Sequence, residues 1–118
     1  MNNLRLSDFF NLRDFECPCC HKVMISEILY QKLYRLRLNI NKPIIINSGY
    51  RCTSYNTKVG GEEHSYHMLG LAVDISVPTI ILLDLYNAAK EINFTGIGFY
   101  EKRGFLHLDV RPGKLSEW

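Results

Sequence analysis

The sequence has no long apolar run, no block of like charge, no internal repeat and no low-complexity tract. Its longest apolar stretch, TIILLDLY, is interrupted by Asp84 and is too short to cross a bilayer. The formal net charge is only +2 and no basic run reaches five residues, so we expect neither a membrane span nor a nucleic-acid partner. The absence of repeats and linkers favours a single domain over residues 1–118.

A secretory signal is also missing from the N-terminal stretch MNNLRLSDFFNLRDFE, which has neither an apolar core nor a small-residue cleavage site. We therefore expect synthesis in the cytoplasm, with any export using another route. The composition, 47% hydrophobic and 22% charged, is that of an ordinary globular protein and argues against disorder.

Cysteines are few and unevenly placed. Three lie in the stretch ECPCCH and the fourth ends the stretch SGYRC: Cys17, Cys19, Cys20 and Cys52. Such a group is compatible with a partial metal knuckle, a redox site or a source of disulfides, and these alternatives stay open. No second CxxC follows at zinc-ribbon spacing, which argues against a closed structural zinc site.

Hydrophobic periodicity predicts two to three helices. In SEILYQKLYRLRLNI, starting at Ser26, three leucines recur at helical spacing: Leu29, Leu33 and Leu36. Weaker patterns predict further helical segments at three places: a short N-terminal helix capped by Ser7, a short helix over 53–59, and a helix starting at Pro78 or Thr79.

Four short strands are also expected. IIIN (44–47) has the composition of a buried strand, LAVDISV (71–77) of a second, and GIGFYEKRGFLHLDV of two strands joined by an EKRG turn that closes at Gly104. A small antiparallel sheet with two to three helices is an α+β fold.

His67, Asp74 and His107 form a candidate metal triad. Two neutral imidazoles and one carboxylate can hold a zinc ion with its fourth position open to water, whose pKa then falls to about 7. The spacing of His67 and Asp74 carries little weight alone, because such a pair arises by chance in roughly one such protein in four. On that pair alone, a loop histidine and a strand-end aspartate are the preferred interpretation, and His64 and His21 are interpreted as loop and turn residues.

Four stretches occur in a recognisable order: SGYRC, VGG, SYHMLGLAVDI and GFLHLDVRPGKLSEW. Together they resemble the zinc-dependent D-Ala-D-Ala carboxypeptidase and endopeptidase family of peptidoglycan peptidases, which shares its fold with the hedgehog signalling domain. The resemblance covers residues 14–118. It implies a hedgehog/D-Ala-D-Ala peptidase-like fold and one catalytic Zn²⁺ held by His67, Asp74 and His107.

Two further roles follow from the resemblance, and a third from a position along a strand. Arg51 is expected to bind a substrate carboxylate or a developing oxyanion, for which its planar fork is suited; a surface ion pair is the alternative. Ser65 is expected to place a hydroxyl beside the metal or the substrate, or simply to cap a turn. Asp109 lies two residues from His107, so in a strand both side chains face the same way. It is expected to orient a histidine ligand, or to pair with Arg111 or Arg51 as a structural carboxylate.

The general base is predicted from a departure in the pattern. Many of the carboxypeptidases carry an acid three residues before the last histidine ligand, and here that position is Gly104. The hedgehog domain instead has a glutamate six residues before that ligand, which corresponds to Glu101. We therefore predict Glu101 as the catalytic base; an exposed turn glutamate is the alternative.

The sequence thus predicts a monomeric zinc metallopeptidase that cuts stem peptides of bacterial peptidoglycan, as a carboxypeptidase or an endopeptidase. A phage-type lysis enzyme would account for cell-wall action without a signal peptide. Two alternatives remain: a catalytically inactive zinc-containing binding module of the same fold, and a redox or metal-sensing protein centred on the cysteines.

Overall fold

Within residues 2–118, which the computed structural model describes, one five-stranded sheet is accompanied by three α-helices. The helices are α1 (Glu27–Ile40), α2 (Thr53–Lys58) and α3 (Leu82–Ile92). The strands are β1 (Ile45–Ser48), β2 (Ala72–Ser76), β3 (Gly96–Tyr100), β4 (Phe105–Asp109) and β5 (Ser116–Glu117). The predicted α+β class is confirmed. No helix in this part of the chain is long and apolar enough to span a membrane.

The strand order across the sheet is β1-β2-β4-β3-β5. The first four strands in this order pair antiparallel, as predicted, and β5 adds a two-residue parallel strand beside β3, so the sheet is mixed. The predicted hairpin joins β3 to β4 through the 3-10 turn Glu101–Arg103 and Gly104, whose φ of 73° is a left-handed conformation that glycine adopts without strain.

Helix α1 follows its sequence pattern closely. The Ser26 hydroxyl accepts a hydrogen bond from the backbone N–H of Leu29, which caps the first turn, and Asn41 ends the helix in a left-handed conformation. The leucine face is fully buried. The side chain of Lys32 in α1 donates to the carbonyl of Ile92, the last residue of α3. A cation therefore lies at the C-terminal end of α3, where the helix dipole is negative.

Side-chain alternation along β2 and β4 separates the core from a polar face. The apolar positions of these strands belong to the same buried cluster as the α1 leucines: Val73, Ile75, Leu106 and Leu108. Because successive side chains point to opposite faces of a strand, Asp74, His107 and Asp109 lie together on the other face. The strand register thus places all the polar groups of the central strands on one side of the sheet.

Three local predictions were wrong. The N-terminal helix is a 3-10 turn over Leu12–Phe15, and Ser7 instead accepts from the N–H of Phe9 in a preceding turn. The strand predicted as buried is an edge strand with half-exposed or exposed side chains, because β1 has a partner on one side only. Helix α3 begins at Leu82, because Ile80 closes a turn onto Val77 before the helical hydrogen bonds start.

Candidate metal centre

The three residues predicted as zinc ligands converge in the structure. Asp74 and His107 are directly paired across β2 and β4, and His107 Nδ1 lies 3.1 Å from Asp74 Oδ1. His67 Nε2 lies 3.2 Å from the same carboxylate oxygen. The ligand atoms of all three lie within 4.8 Å of one another. We call this group the metal centre.

His67 lies in a 3-10 turn (Tyr66–Leu69). The residues directly before and after the turn determine where it begins and ends. The Ser65 hydroxyl accepts from the backbone N–H of His67 at the start of the turn. Gly70 ends it with a φ of 71°, and a Cβ there would lie 2.6 Å from the side chain of Met24. Glycine at this position therefore satisfies both the backbone conformation and the close packing.

Hydrogen bonds outside the metal centre determine which histidine nitrogens face Asp74. His67 Nδ1 lies 2.8 Å from the Gly49 carbonyl oxygen, a group that only accepts, so Nδ1 carries the hydrogen. His107 Nε2 lies 2.7 Å from an Asp109 carboxylate oxygen and donates to it for the same reason. In neutral imidazoles, His67 Nε2 and His107 Nδ1 then present lone pairs toward the Asp74 carboxylate. Three electron-pair donors facing one another suit a bound cation, and this donor set fits zinc.

Charges around the centre favour an ionised aspartate. Burial of the Asp74 carboxyl opposes ionisation, but hydrogen bonds and charge from the protonated forms of His107 and His67 outweigh it, so the pKa of Asp74 lies well below its usual range. Burial also disfavours protonation of His107, yet the carboxylates of Asp109 and Asp74 raise the pKa of that histidine overall. Asp74 therefore carries a negative charge at neutral pH.

Arg51 holds the second oxygen of Asp74. Its Nη2 donates to Asp74 Oδ2 at 3.0 Å, its Nε to the Ser48 hydroxyl at 3.0 Å, and its Nη1 to the Asn56 side-chain oxygen at 3.3 Å. The Arg51 side chain is only 13% exposed, so this ion pair is largely buried rather than a surface pair. Within the described residues, one N–H on each terminal nitrogen of Arg51 makes no hydrogen bond.

Asp109 is fully buried and has two partners. Besides accepting from His107, it accepts from the Arg111 guanidinium, with Nη2 2.7 Å from Oδ2 and Nε 2.9 Å from Oδ1. Burial opposes ionisation of Asp109, but these donors hold its pKa well below the usual range. Gly96 lies opposite in β3, and a Cβ there would lie 2.1 Å from the Asp109 carboxylate. Both expected roles of Asp109 are therefore compatible with its contacts.

The metal centre opens on a cavity of about 490 Å³. Its wall includes Arg51 and the three candidate ligands, with the following aromatic, basic and polar side chains around them: Tyr66, Tyr100, Phe105, Trp118, Arg103, Arg111, Glu62, His64 and Ser65. A cavity with an apolar wall and a few convergent polar groups is the usual form of a small-ligand or peptide site.

Sequence reasoning missed the aromatic part of this wall. The Arg111 guanidinium lies 4.7 Å from the centre of the Tyr66 ring and 4.8 Å from that of Trp118. The Trp118 ring lies 5.1 Å from the His107 ring. Arg111 follows Asp109 by two residues, as Asp109 follows His107. The two-residue period of a strand therefore predicts that Arg111 lies on the same face as these two residues. No local sequence pattern predicted the position of Trp118, because hydrogen bonds with the distant strand β3 bring it to the cavity.

The remaining predicted residues have different positions. Ser65 lies on the cavity wall and also caps the turn of His67. His64, interpreted from the sequence as a loop residue, is an exposed residue of the cavity wall. Glu101 is exposed in the turn between β3 and β4 and is not part of the wall. The structure therefore brings all predicted polar groups except Glu101 to or beside one site.

An α+β domain that directs two histidines and one aspartate into a cavity defines a candidate metal-dependent hydrolase. The family model described as Peptidase M15 matches residues 10–109, and the chain belongs to that family. This confirms the family resemblance expected from the four sequence motifs.

Named relatives agree with this membership. The chain is 33% identical to the peptidoglycan L,D-endopeptidase MepK of Escherichia coli (strain K12), with 93% of this chain and 62% of that protein aligned. A probable peptidoglycan L,D-endopeptidase MepK of Haemophilus influenzae is 30% identical, over 86% of this chain and 58% of that protein. The zinc D-Ala-D-Ala carboxypeptidase of Streptomyces albus G is 39% identical over 48% of this chain and 22% of that protein. The chain thus spans about three fifths of the length of the MepK relatives.

Proposed function

We propose that the chain is a single-domain zinc metallopeptidase that hydrolyses a peptide bond in the stem peptides of bacterial peptidoglycan. The observation that carries this proposal is the orientation of the metal centre: two histidine lone pairs and an aspartate oxygen face one another at a cavity wall. Relatives named as peptidoglycan peptidases support the choice of substrate. Action on the cell wall and a monomeric state belong to the same proposal.

His67 Nε2, Asp74 Oδ1 and His107 Nδ1 are the atoms that would hold the ion. Zinc bound by such a set supplies Lewis acidity, which lowers the pKa of a water ligand and polarises a peptide carbonyl. The chain's own groups keep the ligands in place: Gly49 and Asp109 set the two imidazole tautomers, and Arg51 holds the free oxygen of the aspartate.

Substrate binding is assigned to the basic and aromatic wall. The N–H groups of Arg51 that make no contact within the protein are suited to a peptide carbonyl or carboxylate. The Arg111 guanidinium lies over the rings of both Tyr66 and Trp118, and the Trp118 ring lies beside that of His107. The relatives that align with most of the chain are named L,D-endopeptidases, so we favour endopeptidase over carboxypeptidase action.

Glu101 remains our predicted general base. Since Glu101 is exposed outside the cavity wall, whereas Glu62 belongs to that wall, the two glutamates form a direct test. If Glu101 accepts the proton, Glu101→Gln lowers kcat strongly with unchanged zinc content, and Glu62→Gln does not. The opposite result assigns the proton transfer to Glu62 and removes Glu101 from the mechanism.

The function is tested by incubating the zinc-loaded protein with purified muropeptides and identifying the products by mass spectrometry. We expect a cut within stem peptides or cross-links, and its loss in His67→Ala. His21→Asn is the matched control, because His21 is exposed and its φ of 62° suits asparagine.

Loss of a single terminal D-alanine would change the assignment to carboxypeptidase. If the zinc-loaded chain binds peptidoglycan but releases no product, the inactive binding module replaces the peptidase.

A further inference from the structure

The cysteines left unexplained by the proposed function lie together in the structure. The thiols of Cys17, Cys20 and Cys52 are all within 4.8 Å of one another, and we call them the cysteine cluster. Cys17 and Cys52 are separated by 35 positions in the chain, yet their sulfurs are 3.6 Å apart. The backbone N–H of Tyr50 donates to the carbonyl of Phe15 at 2.9 Å, which holds the two segments side by side.

The sulfur separation fits a shared metal ion. Two thiolates bound to one tetrahedral zinc at about 2.3 Å lie roughly 3.8 Å apart, close to the separation of Cys17 and Cys52. A disulfide would need its sulfurs at about 2.05 Å. All four cysteines of the described chain are free thiols. Thiolate sulfur is a soft ligand that favours zinc over the hard cations.

Backbone hydrogen bonds close the turn that carries Cys17 and Cys20. The N–H of His21 donates to the Cys17 carbonyl and the N–H of Cys17 to the Lys22 carbonyl, both at 2.8 Å. His21 adopts a φ of 62°, which reverses the chain directly after Cys20. A tight turn of this kind points both thiols of a Cys-x-x-Cys pair to one side.

Backbone N–H groups donate hydrogen bonds to the buried sulfur of Cys17. Burial of the Cys17 thiol opposes ionisation, but backbone N–H groups of Cys52, Cys20 and Cys19 donate to its sulfur and lower its pKa to about 7. Metal ligands must be deprotonated, and these N–H donors stabilise the thiolate form of the Cys17 sulfur.

We propose that Cys17, Cys20 and Cys52 bind a second, structural zinc ion, separate from the metal centre. The exposed thiol of Cys19 contacts that of Cys52 and is our candidate for the fourth coordination position. On binding, the thiols release their protons to solvent and no redox change takes place.

This second ion would hold in place the loop that positions the catalytic ligands. Gly49, whose carbonyl orients His67, packs so closely that a Cβ there would lie 2.7 Å from the Phe15 backbone. Arg51, which holds Asp74, directly precedes Cys52. The ion thus connects the N-terminal segment to the loop over residues 48–52, and its role is positioning rather than catalysis.

The test is metal content combined with cobalt substitution. We expect two zinc ions per purified wild-type chain, one at each group. Replacing zinc with Co²⁺ should give sulfur-to-cobalt charge-transfer absorption in wild type and in His67→Ala, since the metal centre has no sulfur ligand. Cys52→Ser should lose that absorption and one metal ion, and Cys19→Ser should lose less of both.

Two outcomes would overturn the proposal: one zinc per wild-type chain, or charge-transfer absorption unaffected by Cys52→Ser. If Cys52→Ser does not fold, intact mass of the wild-type chain still decides, because a loss of two hydrogens shows a disulfide in place of a thiolate site. Inactivity toward muropeptides would contradict the proposed function while leaving this readout unchanged.

Discussion

The metal centre and the cysteine cluster gather metal ligands from different parts of the fold. The metal centre has two ligands on paired central strands and opens on a cavity. The cysteine cluster combines a tight turn with Cys52, directly before α2, and its Cys17 thiol is fully buried. Structural zinc sites are closed by protein ligands, whereas catalytic ones keep a position open. The comparison shows that one small domain contains one group suited to each task.

The partners of the ligands differ as well. Two of the candidate ligands contact groups from other segments, His67 the Gly49 carbonyl and Asp74 the Arg51 guanidinium. His107 instead contacts the Asp109 carboxylate of its own strand. Cys17 accepts from the backbone N–H of the distant Cys52 and from those of Cys20 and Cys19 in its own turn. Both groups therefore depend on tertiary contacts, but the cysteines rely on local turn geometry as well.

The largest expected effect comes from Asp74→Ala. It removes the one oxygen that both histidines approach and leaves the mostly buried Arg51 without its carboxylate. We expect loss of one bound zinc and of all measurable muropeptide hydrolysis, with thiolate–cobalt absorption retained. Asp84→Ala is the control, since Asp84 is exposed on α3. Loss of both metals in Asp74→Ala would show that the two groups are not independent.

Asp109→Asn is expected to have the next largest effect. Asparagine still accepts from His107 but carries no charge, so the imidazole becomes a weaker ligand and Arg111 loses its ion pair. Changes of this kind typically cost 10–100-fold in metal affinity or activity. Zinc affinity and kcat measured beside Asp84→Asn test this. An unchanged zinc affinity would reduce Asp109 to a structural partner of Arg111.

Two glycines of β3 form a matched pair at the metal centre. Gly96→Ala would place a Cβ 2.1 Å from the buried Asp109 carboxylate, and we expect a loss of about 1–3 kcal/mol in the free energy of unfolding. Gly98→Ala would meet Trp118 and Tyr100 at 2.8 Å, and the half-exposed Trp118 can move aside. Its expected effect is smaller. Urea unfolding compares the two, and equal losses would contradict a specific collision with Asp109.

The smallest effect is expected for Ser26→Ala, which lies outside both groups. The substitution removes the N-cap hydroxyl of α1 and should lower the free energy of unfolding by about 1 kcal/mol. The backbone N–H of Ser26 keeps its hydrogen bond to Gly70, so both metal contents should stay unchanged. Ser26→Thr keeps a capping hydroxyl and is the control. A lost metal ion in Ser26→Ala would mean that α1 itself supports one of the sites.

Local sequence patterns predicted the elements whose cause is local. The α1 leucines and the Ser26 cap define one face and one end of a helix, and both agree with the structure. The EKRG turn with Gly104 likewise predicts the hairpin, because a left-handed glycine suits its closure. The burial of β1 was not predictable, since it depends on which strands lie beside it.

For the metal centre, the sequence by itself determined the candidate ligand types and, through the resemblance, their identity as His67, Asp74 and His107. Only the tertiary structure decided their geometry, because strand register pairs Asp74 with His107 and a distant carbonyl sets the His67 tautomer. The same holds for the cysteines: the sequence contained the ligands, but the fold brought Cys52 to Cys17. Residue chemistry is local, whereas the convergence of ligands from separate segments requires the packing of the whole chain.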